Sequence, residues 1–509
     1  MGKVILVGAG PGDGGLLTVK GKAALEKADV VVYDRLVSEE ILALIPDKAK
    51  RIDVGKHAGD HPVPQEEINR ILLEEGQQNQ VVVRLKGGDP FLFGRGGEEL
   101  ELLAAHRVSF EVVPGVTSAL AVPAYGGIPV THRDFASSLH IITGHRRAGK
   151  ELDLDFEALA GLGGTLIFLM GVAALPEICG GLLRAGMAPD TPAAVVERGT
   201  TPRQRRISAP LAQLPERAKE AAVESPAVLV VGGVCALAED FDWFDRLPLK
   251  GKRVVVTRPK ERAGTLSSRL RALGAEVWEF PCIETISLRP CPPLTRAVEE
   301  LRQYEWLVFT SPAGVDCLWA ELERTGRDAR ALAGVQLAAI GPGTAEALAA
   351  HGLRADFVPP IYDGTHLGAG LAERCAGRVL LLRAEWGSHA LTAALEGAKL
   401  EYDDVAVYQT RYAAPRSAEL RQAVERGEVE FVTFTSASTV RGFVQSVGED
   451  TNFSRITGVC IGEQTAAQAR AYHIPVTVAR EATLDGLMEL MLEGVFHESE
   501  HPAPPSAGQ

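Results

Sequence analysis

The chain has 509 residues, of which 46% are hydrophobic and 23% charged, and its formal net charge is −13. This length exceeds one hydrophobic core and predicts roughly three or four domains, while the acidic balance argues against a general nucleic-acid partner because phosphate binding requires a basic face. The seven cysteines contain no C-x-x-C pair, and the apolar runs stop short of the roughly 20 residues that span a bilayer. We therefore expect a reduced, cytoplasmic protein with no metal site and no membrane partner.

The chain begins with a predicted strand and a glycine-containing loop. Val4 to Val7 is predicted to be a buried strand, and GAGPGD, residues 8 to 13, the loop after it. Asp13 stands where the third glycine of a dinucleotide-binding fingerprint would fall, and Pro11 lacks the backbone donor that a pyrophosphate needs. A nicotinamide oxidoreductase is therefore a remote alternative, and a neutral or cationic ligand is more compatible with this loop.

A second predicted strand, Ala28 to Tyr33, ends at Asp34. A carboxylate at the carboxyl end of a strand in an open α/β sheet is well placed to face a ligand crevice. The equally weighted alternative is that Asp34 caps a helix over Ser38 to Leu44. A third predicted strand, Arg51 to Val54, leads through one glycine into Lys56.

The stretch RLKGGDPFLFGRGGEE, residues 84 to 99, is the most informative segment of the chain. Its five glycines, one proline and three carboxylates suit neither a helix nor a strand, so we predict a loop at the end of a strand. Gly87 and Gly88 allow a ligand to approach the backbone, and Asp89 is a fixed acceptor beside them, which suits a polar, cationic small molecule. An isolated Gly-Gly-Asp-Pro would more often be only a tight connection between a strand and a helix.

The rest of the first half continues the alternation of strands and helices. Thr117 and Ser118 follow a Pro-Gly turn, and the short apolar helix after them is expected to break at Pro123 and Gly126. Further strands are predicted at 137 to 146, 164 to 171, from 192 and at 226 to 234, with a helix at 172 to 183 and a turn with a basic cluster before 206. These elements predict two α/β subdomains, at about 1–114 and 131–240.

In this order, over residues 3 to about 240, these motifs resemble the uroporphyrinogen-III C-methyltransferases, within the tetrapyrrole methylases that use S-adenosylmethionine. The resemblance implies two α/β domains with the cofactor bound between them, and a homodimer formed through this half. It also implies a set of cofactor contacts from the loops: Pro11, Gly87, Gly88, Asp89, Leu92, Thr117, Ser118, Met170 and Gly199. Taken by itself, Met170 would more often be a core residue.

The same resemblance implies roles in methyl transfer. Asp34 would accept a proton and Lys56 would donate one, because a pyrrole carbon that gains a methyl group later sheds a proton. Positioning of the carbon nucleophile is the main requirement of the transfer. The carboxylates of the tetrapyrrole call for clustered donors, for which we name Arg35, Arg95, His132, Arg133 and Arg146.

The sequence changes character over residues 241 to 259, where an aromatic, acidic segment gives way to Pro248 and Gly251 and then to a new strand. We predict a boundary near Leu247, with one module at 1–247 and a second at 248–496. The remaining residues, 497 to 509, are polar and rich in proline, so we predict a disordered tail.

An internal repeat dominates the second half. FTSPAGVDCL at 309 to 318 recurs as FTSASTVRGF at 434 to 443, and AAIGPGTAEAL at 338 to 348 recurs as VCIGEQTAAQA at 459 to 469. Two related α/β units are the natural interpretation. In each unit a Thr-Ser pair follows a strand and opens a helix, where the hydroxyls serve as N-caps or help to hold a carboxylate: Thr310, Ser311, Thr435 and Ser436.

Together with VVVTRP and VAVYQT, these motifs resemble uroporphyrinogen-III synthase over residues 252 to about 492. That resemblance implies ring closure of hydroxymethylbilane with loss of water and inversion of the last pyrrole, without a cofactor. Tyr408 matches the family's candidate proton donor to the leaving hydroxyl, although a strand-end tyrosine that anchors a loop is the simpler alternative.

The combined prediction is a bifunctional enzyme of α/β class that makes uroporphyrinogen III and methylates it twice to precorrin-2, for sirohaem or cobalamin. Two alternatives stay open. The first half could methylate another corrin-pathway intermediate, since several tetrapyrrole methylases share the GGDP loop. The second half could bind a tetrapyrrole or regulate the first half without catalysing a reaction.

Overall fold

The computed structural model describes residues 2–55, 63–78, 80–144, 152–387, 389–412 and 417–500. The chain forms two compact units, Met1–Gly251 and Lys252–Gln509. The division falls four residues beyond Leu247 because Lys250 remains attached to the first unit. Its Nζ donates to the Gln204 carbonyl at 2.9 Å and lies 3.0 Å from Asp245.

The first subdomain is a parallel five-stranded sheet in the order β3-β2-β4-β1-β5. Helices cover both of its faces, as a parallel sheet requires. Leu25 and Ile41 pack on one face, and Leu72 and Leu103 pack on the other. The strands are β1 (Lys3–Gly8), β2 (Val30–Tyr33), β3 (Lys50–Asp53), β4 (Val81–Lys86) and β5 (Ser109–Val113), and the helices are α1 (Val19–Glu26), α2 (Glu39–Leu42), α3 (Gln65–Gln77), α4 (Gly96–Ala105) and α5 (Ser118–Tyr125), with a 3-10 turn at Gly14–Leu16.

The second subdomain is a mixed sheet in the order β6-β7-β10-β8-β9, and α5 packs against it through Ala119 and Val122. Pro123 lies within α5 and does not break the helix, which ends at Gly126. The strands are β6 (Leu139–Thr143), β7 (Thr165–Leu169), β8 (Pro192–Glu197), β9 (Arg205–Pro210) and β10 (Ala227–Val231), and the helices are α6 (Phe156–Gly161), α7 (Leu175–Arg184) and α8 (Leu214–Glu220), with 3-10 turns at Val172–Ala174 and Gly233–Leu237.

The predicted basic cluster before residue 206 contains the start of a strand that the sequence did not reveal. Arg205 pairs with Glu197 across the antiparallel β8–β9 ladder, and its Nε donates to Glu197 Oε2 at 2.9 Å. Arg206 lies 3.5 Å from Asp242. The basic residues did not indicate a strand, because the acidic residues that neutralise them, Glu197 and Asp242, are not adjacent in sequence.

The second unit contains two five-stranded sheets. One is parallel, in the order β12-β11-β18-β19-β20, and the other has the order β13-β17-β16-β14-β15 with β13 antiparallel to β17. The strands are β11 (Arg253–Val256), β12 (Glu276–Glu279), β13 (Ile283–Ser287), β14 (Tyr304–Phe309), β15 (Gln336–Ala339), β16 (Arg378–Ala384), β17 (Tyr402–Tyr412), β18 (Phe431–Phe434), β19 (Thr457–Cys460) and β20 (Val476–Val478).

Helices cover both sheets of this unit. They are α9 (Lys260–Ala272), α10 (Pro292–Glu299), α11 (Pro312–Arg324), α12 (Pro342–Ala350), α13 (Gly364–Ala372), α14 (His389–Gly397), α15 (Ala418–Arg426), α16 (Ala437–Val447), α17 (Glu463–Ala471) and α18 (Leu484–Glu500), with 3-10 turns at Leu301–Gln303 and Ala329–Leu332. Because α18 extends to Glu500, it passes the predicted domain end at 496, and residues 501–509 lie outside the described ranges.

The fold class predicted from the sequence is confirmed, but the two repeated units are not consecutive. The chain forms β11 and β12, leaves to build the whole β13–β17 sheet, and returns to complete the first sheet with β18–β20. The first copy of the repeat therefore lies in the inserted sheet and the second copy in the other. Within the described ranges, every helix is too short or too polar to traverse a lipid bilayer.

Candidate functional site

The site in the first unit is built from loops at the carboxyl ends of β4, β1 and β5. These strands are parallel neighbours, so their loops meet at one edge of the sheet. Gly88 donates to the Gly10 carbonyl at 2.7 Å, and Gly10 donates back to the Gly88 carbonyl at 3.2 Å. A Cβ placed on Gly115 would lie 2.2 Å from the Gly88 oxygen. The two loops therefore pack at a distance that only glycine permits at residue 115.

Gly88 itself borders open space. Its φ is +67°, in the left-handed region, and a Cβ added there would meet no atom within 4 Å. A Cβ added to Gly87 would instead lie 2.6 Å from the Leu36 Cβ. The backbone at Gly88 therefore borders open space, and the close approach of a ligand there stays a prediction.

The Asp89 carboxylate supports this loop from within. Its Oδ1 accepts hydrogen bonds from the Phe91 and Leu92 N–H groups at 2.8 and 3.1 Å, and its Oδ2 accepts from the Gly115 N–H at 3.1 Å. The sequence indicated an acceptor for a ligand. The contacts show that Asp89 also joins the β4 loop to the β5 loop, and its predicted role toward a ligand stays a prediction.

The second subdomain contributes loops after β7 and β8. Both strands run antiparallel to β10, so their carboxyl ends share one edge. Met170 follows β7 with a φ of +56° and is 50% exposed, which rules out the core role. Gly199 follows β8 and is buried against α5, where an added Cβ would lie 2.3 Å from Val122 Cγ1. Thr200 Oγ1 then accepts from the Asp13 N–H at 3.3 Å, which brings this loop to GAGPGD.

The remaining predicted cofactor residues lie around the same loops. Thr117 is the N-cap of α5 and accepts from the Ala119 N–H at 3.3 Å, and Ser118 is the first residue of that helix. Leu92 packs against the core of the second subdomain. Pro11 lies in the β1 loop, one residue from Gly10. The predicted residues therefore follow five different strands, β1, β4, β5, β7 and β8.

Asp34 lies directly after β2 and does not cap α2, whose N-cap is Ser38. Its Oδ1 accepts from the Leu36 N–H at 3.1 Å, and its Oδ2 is 3.6 Å from Arg84 Nη2. Among the described residues, Arg84 of β4 is thus a cation that faces Asp34. Lys56 and Arg146, both predicted site residues, lie outside the described residues.

A buried charge cluster lies behind Asp34. Glu99 is completely buried, and its Oε1 accepts from Lys86 at 2.8 Å, from Arg84 at 3.1 Å and from Gln65 at 3.3 Å. Glu99 Oε2 has no hydrogen-bond partner among the described residues. Burial and the neighbouring Arg84 lower the pKa of Lys86, and Glu99 opposes that shift.

Sequence reasoning missed this cluster, because Glu99 ends the glycine-rich stretch that was predicted to be a loop. The available signal was a pair of basic residues two positions apart in β4, an otherwise apolar strand. Buried charges of that kind require a partner.

Among the described residues, the predicted substrate donors of the first unit are exposed or half-buried. Arg35 and Arg133 are exposed, and Arg95 Nε donates to Glu98 Oε1 at 2.9 Å. His132 lies 5.1 Å from the Phe135 ring, centroid to centroid. Arg95 therefore has a carboxylate partner that a substrate would have to displace.

In the second unit the two Thr-Ser pairs lie where the repeat predicts. Ser311 is the N-cap of α11, and Ser436 is the N-cap of α16 in a reciprocal capping box with Thr439. Thr310 and Thr435 are the residues between strand and cap. The first pair follows β14 and the second follows β18. These strands belong to different sheets because one sheet of the unit is inserted into the other.

Tyr408 lies inside β17 and is 8% exposed, so it is not a strand-end anchor. Ser311 Oγ donates to Tyr408 Oη at 2.7 Å, which joins one of the Thr-Ser pairs to the predicted proton donor. The sequence placed both residues in the second half but gave no sign of their contact.

These observations define a two-unit α/β protein whose first unit carries a candidate site, lined by glycines, at the carboxyl ends of its strands. Residues 3–215 match the family of tetrapyrrole (corrin/porphyrin) methylases, and residues 264–489 match uroporphyrinogen-III synthase HemD. The porphyrin biosynthesis protein HemD of Ruminiclostridium josui is 49% identical over 494 residues, which cover 97% of this chain and 98% of that protein.

Other similarities cover the first unit. A siroheme synthase of Edwardsiella ictaluri is 54% identical over 243 residues, 48% of this chain and 52% of that protein, so the chain spans about half the length of that relative. The crystal structure of uroporphyrin-III C-methyltransferase from Thermus thermophilus, complexed with S-adenosylhomocysteine, shows 44% identity over 46% of this chain and 100% of that chain, with a TM-score of 0.41.

The chain belongs to the family of porphyrin-biosynthesis proteins that join a tetrapyrrole methylase to a uroporphyrinogen-III synthase of the HemD type. The protein is thus an enzyme with two parts, a methyltransferase followed by a synthase. The resemblances found in the sequence are confirmed.

Proposed function

We propose that the two units catalyse consecutive steps of tetrapyrrole biosynthesis. The second unit converts hydroxymethylbilane to uroporphyrinogen III with loss of water, and the first unit methylates uroporphyrinogen III twice to precorrin-2, on the route to sirohaem or cobalamin. The observation that carries the proposal is the open backbone at Gly88, where two loops pack at glycine distance and leave room for a ligand.

The residues around this space fit S-adenosylmethionine as the methyl donor. Its sulfonium is a cation that supplies an electrophilic methyl group. A loop that offers backbone acceptors and lacks a pyrophosphate-binding fingerprint is compatible with such a cation. The residues that would hold it come from the five strand ends: Pro11, Gly87, Gly88, Asp89, Leu92, Thr117, Ser118, Met170 and Gly199. Asp89 would act by fixing the loop, given its three backbone contacts.

Asp34 is the proton acceptor of the methylation step in this proposal. The pyrrole carbon that gains a methyl group must lose a proton, and a carboxylate at the end of β2 is available to take it. Arg84, 3.6 Å away, holds the carboxylate in place together with the Leu36 N–H. We assign Lys56 as the proton donor, and the carboxylates of the tetrapyrrole to Arg35, Arg95, His132, Arg133 and Arg146.

Tyr408 is the proton donor to the leaving hydroxyl in the second unit. In its contact with Ser311 the phenol oxygen accepts, so this hydrogen bond does not use the phenolic proton. Substrate carboxylates would meet the helix starts at Thr310, Ser311, Thr435 and Ser436, where backbone N–H groups favour anions. We further propose that the protein is cytoplasmic and that the first unit forms a homodimer.

A labelled-methyl assay that starts from hydroxymethylbilane tests both steps at once. We expect label from S-adenosylmethionine to appear in precorrin-2, and uroporphyrinogen III to accumulate when the methyl donor is omitted. Transfer of label only to a different corrin-pathway intermediate would contradict the proposed first step. Failure of the fragment 252–509 to consume hydroxymethylbilane, when its circular dichroism shows it folded, would contradict the second.

We expect Tyr408→Phe to slow the synthase step, but by less than the roughly 100-fold loss that marks the removal of a general acid. The variant loses the phenolic proton but keeps the ring that packs inside β17. The initial rate of hydroxymethylbilane consumption is the measurement, with Tyr412→Phe on the same strand as the matched control. An unchanged rate for Tyr408→Phe would remove this residue from the mechanism.

A further inference from the structure

The segment from Glu239 to Lys250, which contains the boundary predicted near Leu247, is packed on the methylase unit. Trp243 Nε1 donates to the Ala124 carbonyl at 3.0 Å. The Tyr125 ring lies 4.9 Å from the Trp243 ring and 4.8 Å from the Phe244 ring, and Phe244 is buried. The aromatic residues of this segment therefore cover the last turn of α5.

Polar contacts complete the attachment. Gln204 Nε2 donates to the Tyr125 carbonyl at 2.9 Å and to Asp245 at 3.3 Å. Lys250 donates to the Gln204 carbonyl and lies over the Phe244 ring at 5.1 Å. The segment, the end of α5 and the loop after β8 thus form one packed cluster.

Tyr125 connects this cluster to the loop after β1. Its Oη donates to Asp13 Oδ2 at 2.6 Å across 112 residues of sequence. Asp13 Oδ1 accepts from the Gly15 N–H at 2.7 Å, and the Asp13 N–H donates to Thr200. Burial and the Asp13 carboxylate both raise the pKa of Tyr125, so the phenol keeps its proton and remains a donor.

Tyr125 is connected to loops of both subdomains to which the cofactor is assigned. It is the last residue of α5, a helix of eight residues and thus about 12 Å long, which begins at Ser118 after the Thr117 cap. Asp13 lies two residues beyond Pro11, and Thr200 directly follows Gly199. A displacement of Tyr125 would therefore also displace three of the segments to which the cofactor is assigned: the loop after β1, the start of α5 and the loop after β8.

We propose that Tyr125 is a positioning residue for the cofactor, which fixes the GAGPGD loop through Asp13 and is itself fixed by Trp243 and Phe244. The inference rests on the proposed function, because the ligand is taken to be S-adenosylmethionine or its product. Residues 239–250 then help to hold the methylase site in its geometry, although they directly precede the synthase unit in sequence.

Binding of S-adenosylhomocysteine to the full chain, measured by calorimetry, tests this inference. Tyr125→Phe should raise the Kd by about tenfold or more, because the variant removes a hydrogen bond to a carboxylate. Trp243→Ala should raise the Kd in the same direction, and Trp243→Phe, which keeps a ring, should restore most of the affinity. Tyr402→Phe is the matched control, since Tyr402 also donates to a carboxylate, Glu396 at 2.7 Å, but in the second unit.

A double-mutant cycle separates positioning from general loosening. If Tyr125 acts through Asp13, Tyr125→Phe combined with Asp13→Ala should bind no more weakly than the weaker single variant, because each change alone already removes the Tyr125–Asp13 hydrogen bond. The apparent KM for S-adenosylmethionine should rise while kcat changes little. An unchanged Kd for Tyr125→Phe, or fully additive effects in the cycle, would overturn the inference. Absence of binding by the unaltered protein would instead overturn the proposed function.

Discussion

Replacing Glu99 with glutamine is expected to lower the free energy of unfolding of the first unit by about 3 to 5 kcal/mol, the usual effect of removing one partner of a buried ion pair. Glu99 is completely buried and accepts from both Lys86 and Arg84. These two cations are themselves 5% and 3% exposed. Without the carboxylate, Lys86 would be buried beside a neutral amide, while Arg84 would keep its contacts with two backbone carbonyls and with Asp34 at 3.6 Å.

The neighbouring residue provides the matched control. Glu98 is on the same helix turn, but its side chain is 49% exposed and its partner Arg95 is 55% exposed. Glu98→Gln should therefore change stability by less than about 0.5 kcal/mol, as surface substitutions usually do. Calorimetric unfolding can resolve the two units as separate transitions. Equal effects of the two substitutions would contradict the importance given to burial.

A second variant tests whether the loss of the Glu99 charge causes the expected destabilisation. Combining Glu99→Gln with Lys86→Met removes one buried charge of each sign and replaces the lysine with an apolar chain of similar length. Stability should recover in part, because an apolar replacement of a buried ion pair is often tolerated. No recovery would show that packing around Glu99, and not its charge, determines the loss.

Asp34→Asn is expected to lower kcat for methylation by about 100- to 10,000-fold, the range attributed to a general base. The amide is nearly isosteric and can still accept from the Leu36 N–H, so the turn after β2 should be preserved. It cannot take a proton from the methylated carbon. The rate of label transfer to uroporphyrinogen III is the measurement, and calorimetry of S-adenosylhomocysteine should give an unchanged Kd.

Asp53 offers a control of the same local geometry. Its Oδ1 accepts from the Gly55 N–H at 2.8 Å, the same two-residue turn at the end of the neighbouring strand β3. Asp53→Asn should leave the methylation rate within about threefold of the unaltered protein, since local surface changes of this kind are small. A comparable loss in both variants would indicate that the turns matter and that Asp34 is not the base.

Several features of the site were predictable because their causes are local. The loop between β4 and α4 follows from its glycines and proline, although it is shorter than the predicted 84–99 because β4 extends to Lys86 and α4 begins at Gly96. The N-caps at Ser311 and Ser436 follow from a hydroxyl placed between a strand and a helix. The alternation of strands and helices was likewise sufficient to predict the α/β class. Each of these inferences depends on residues within a few positions of one another.

Other features depend on partners that are distant in sequence. Asp89 was predicted as an acceptor for a ligand, and the structure adds that its Oδ2 accepts from the Gly115 N–H, 26 residues away, which holds the loop. Tyr408 meets Ser311 across 97 residues, and Tyr125 meets Asp13 across 112. No local pattern could select these pairs from the other tyrosines and acids of the chain.

The sequence by itself determined the class of the fold, the two halves and the loops that carry the proposed chemistry, since strand period, glycine content and capping act over short distances. Only the tertiary structure decided that one sheet of the second unit is inserted into the other, that Glu99 is buried between two cations, and that residues 239–250 pack on α5. The physical reason is that burial and charge pairing are set by which strand ends become neighbours, and that order is a property of the folded chain.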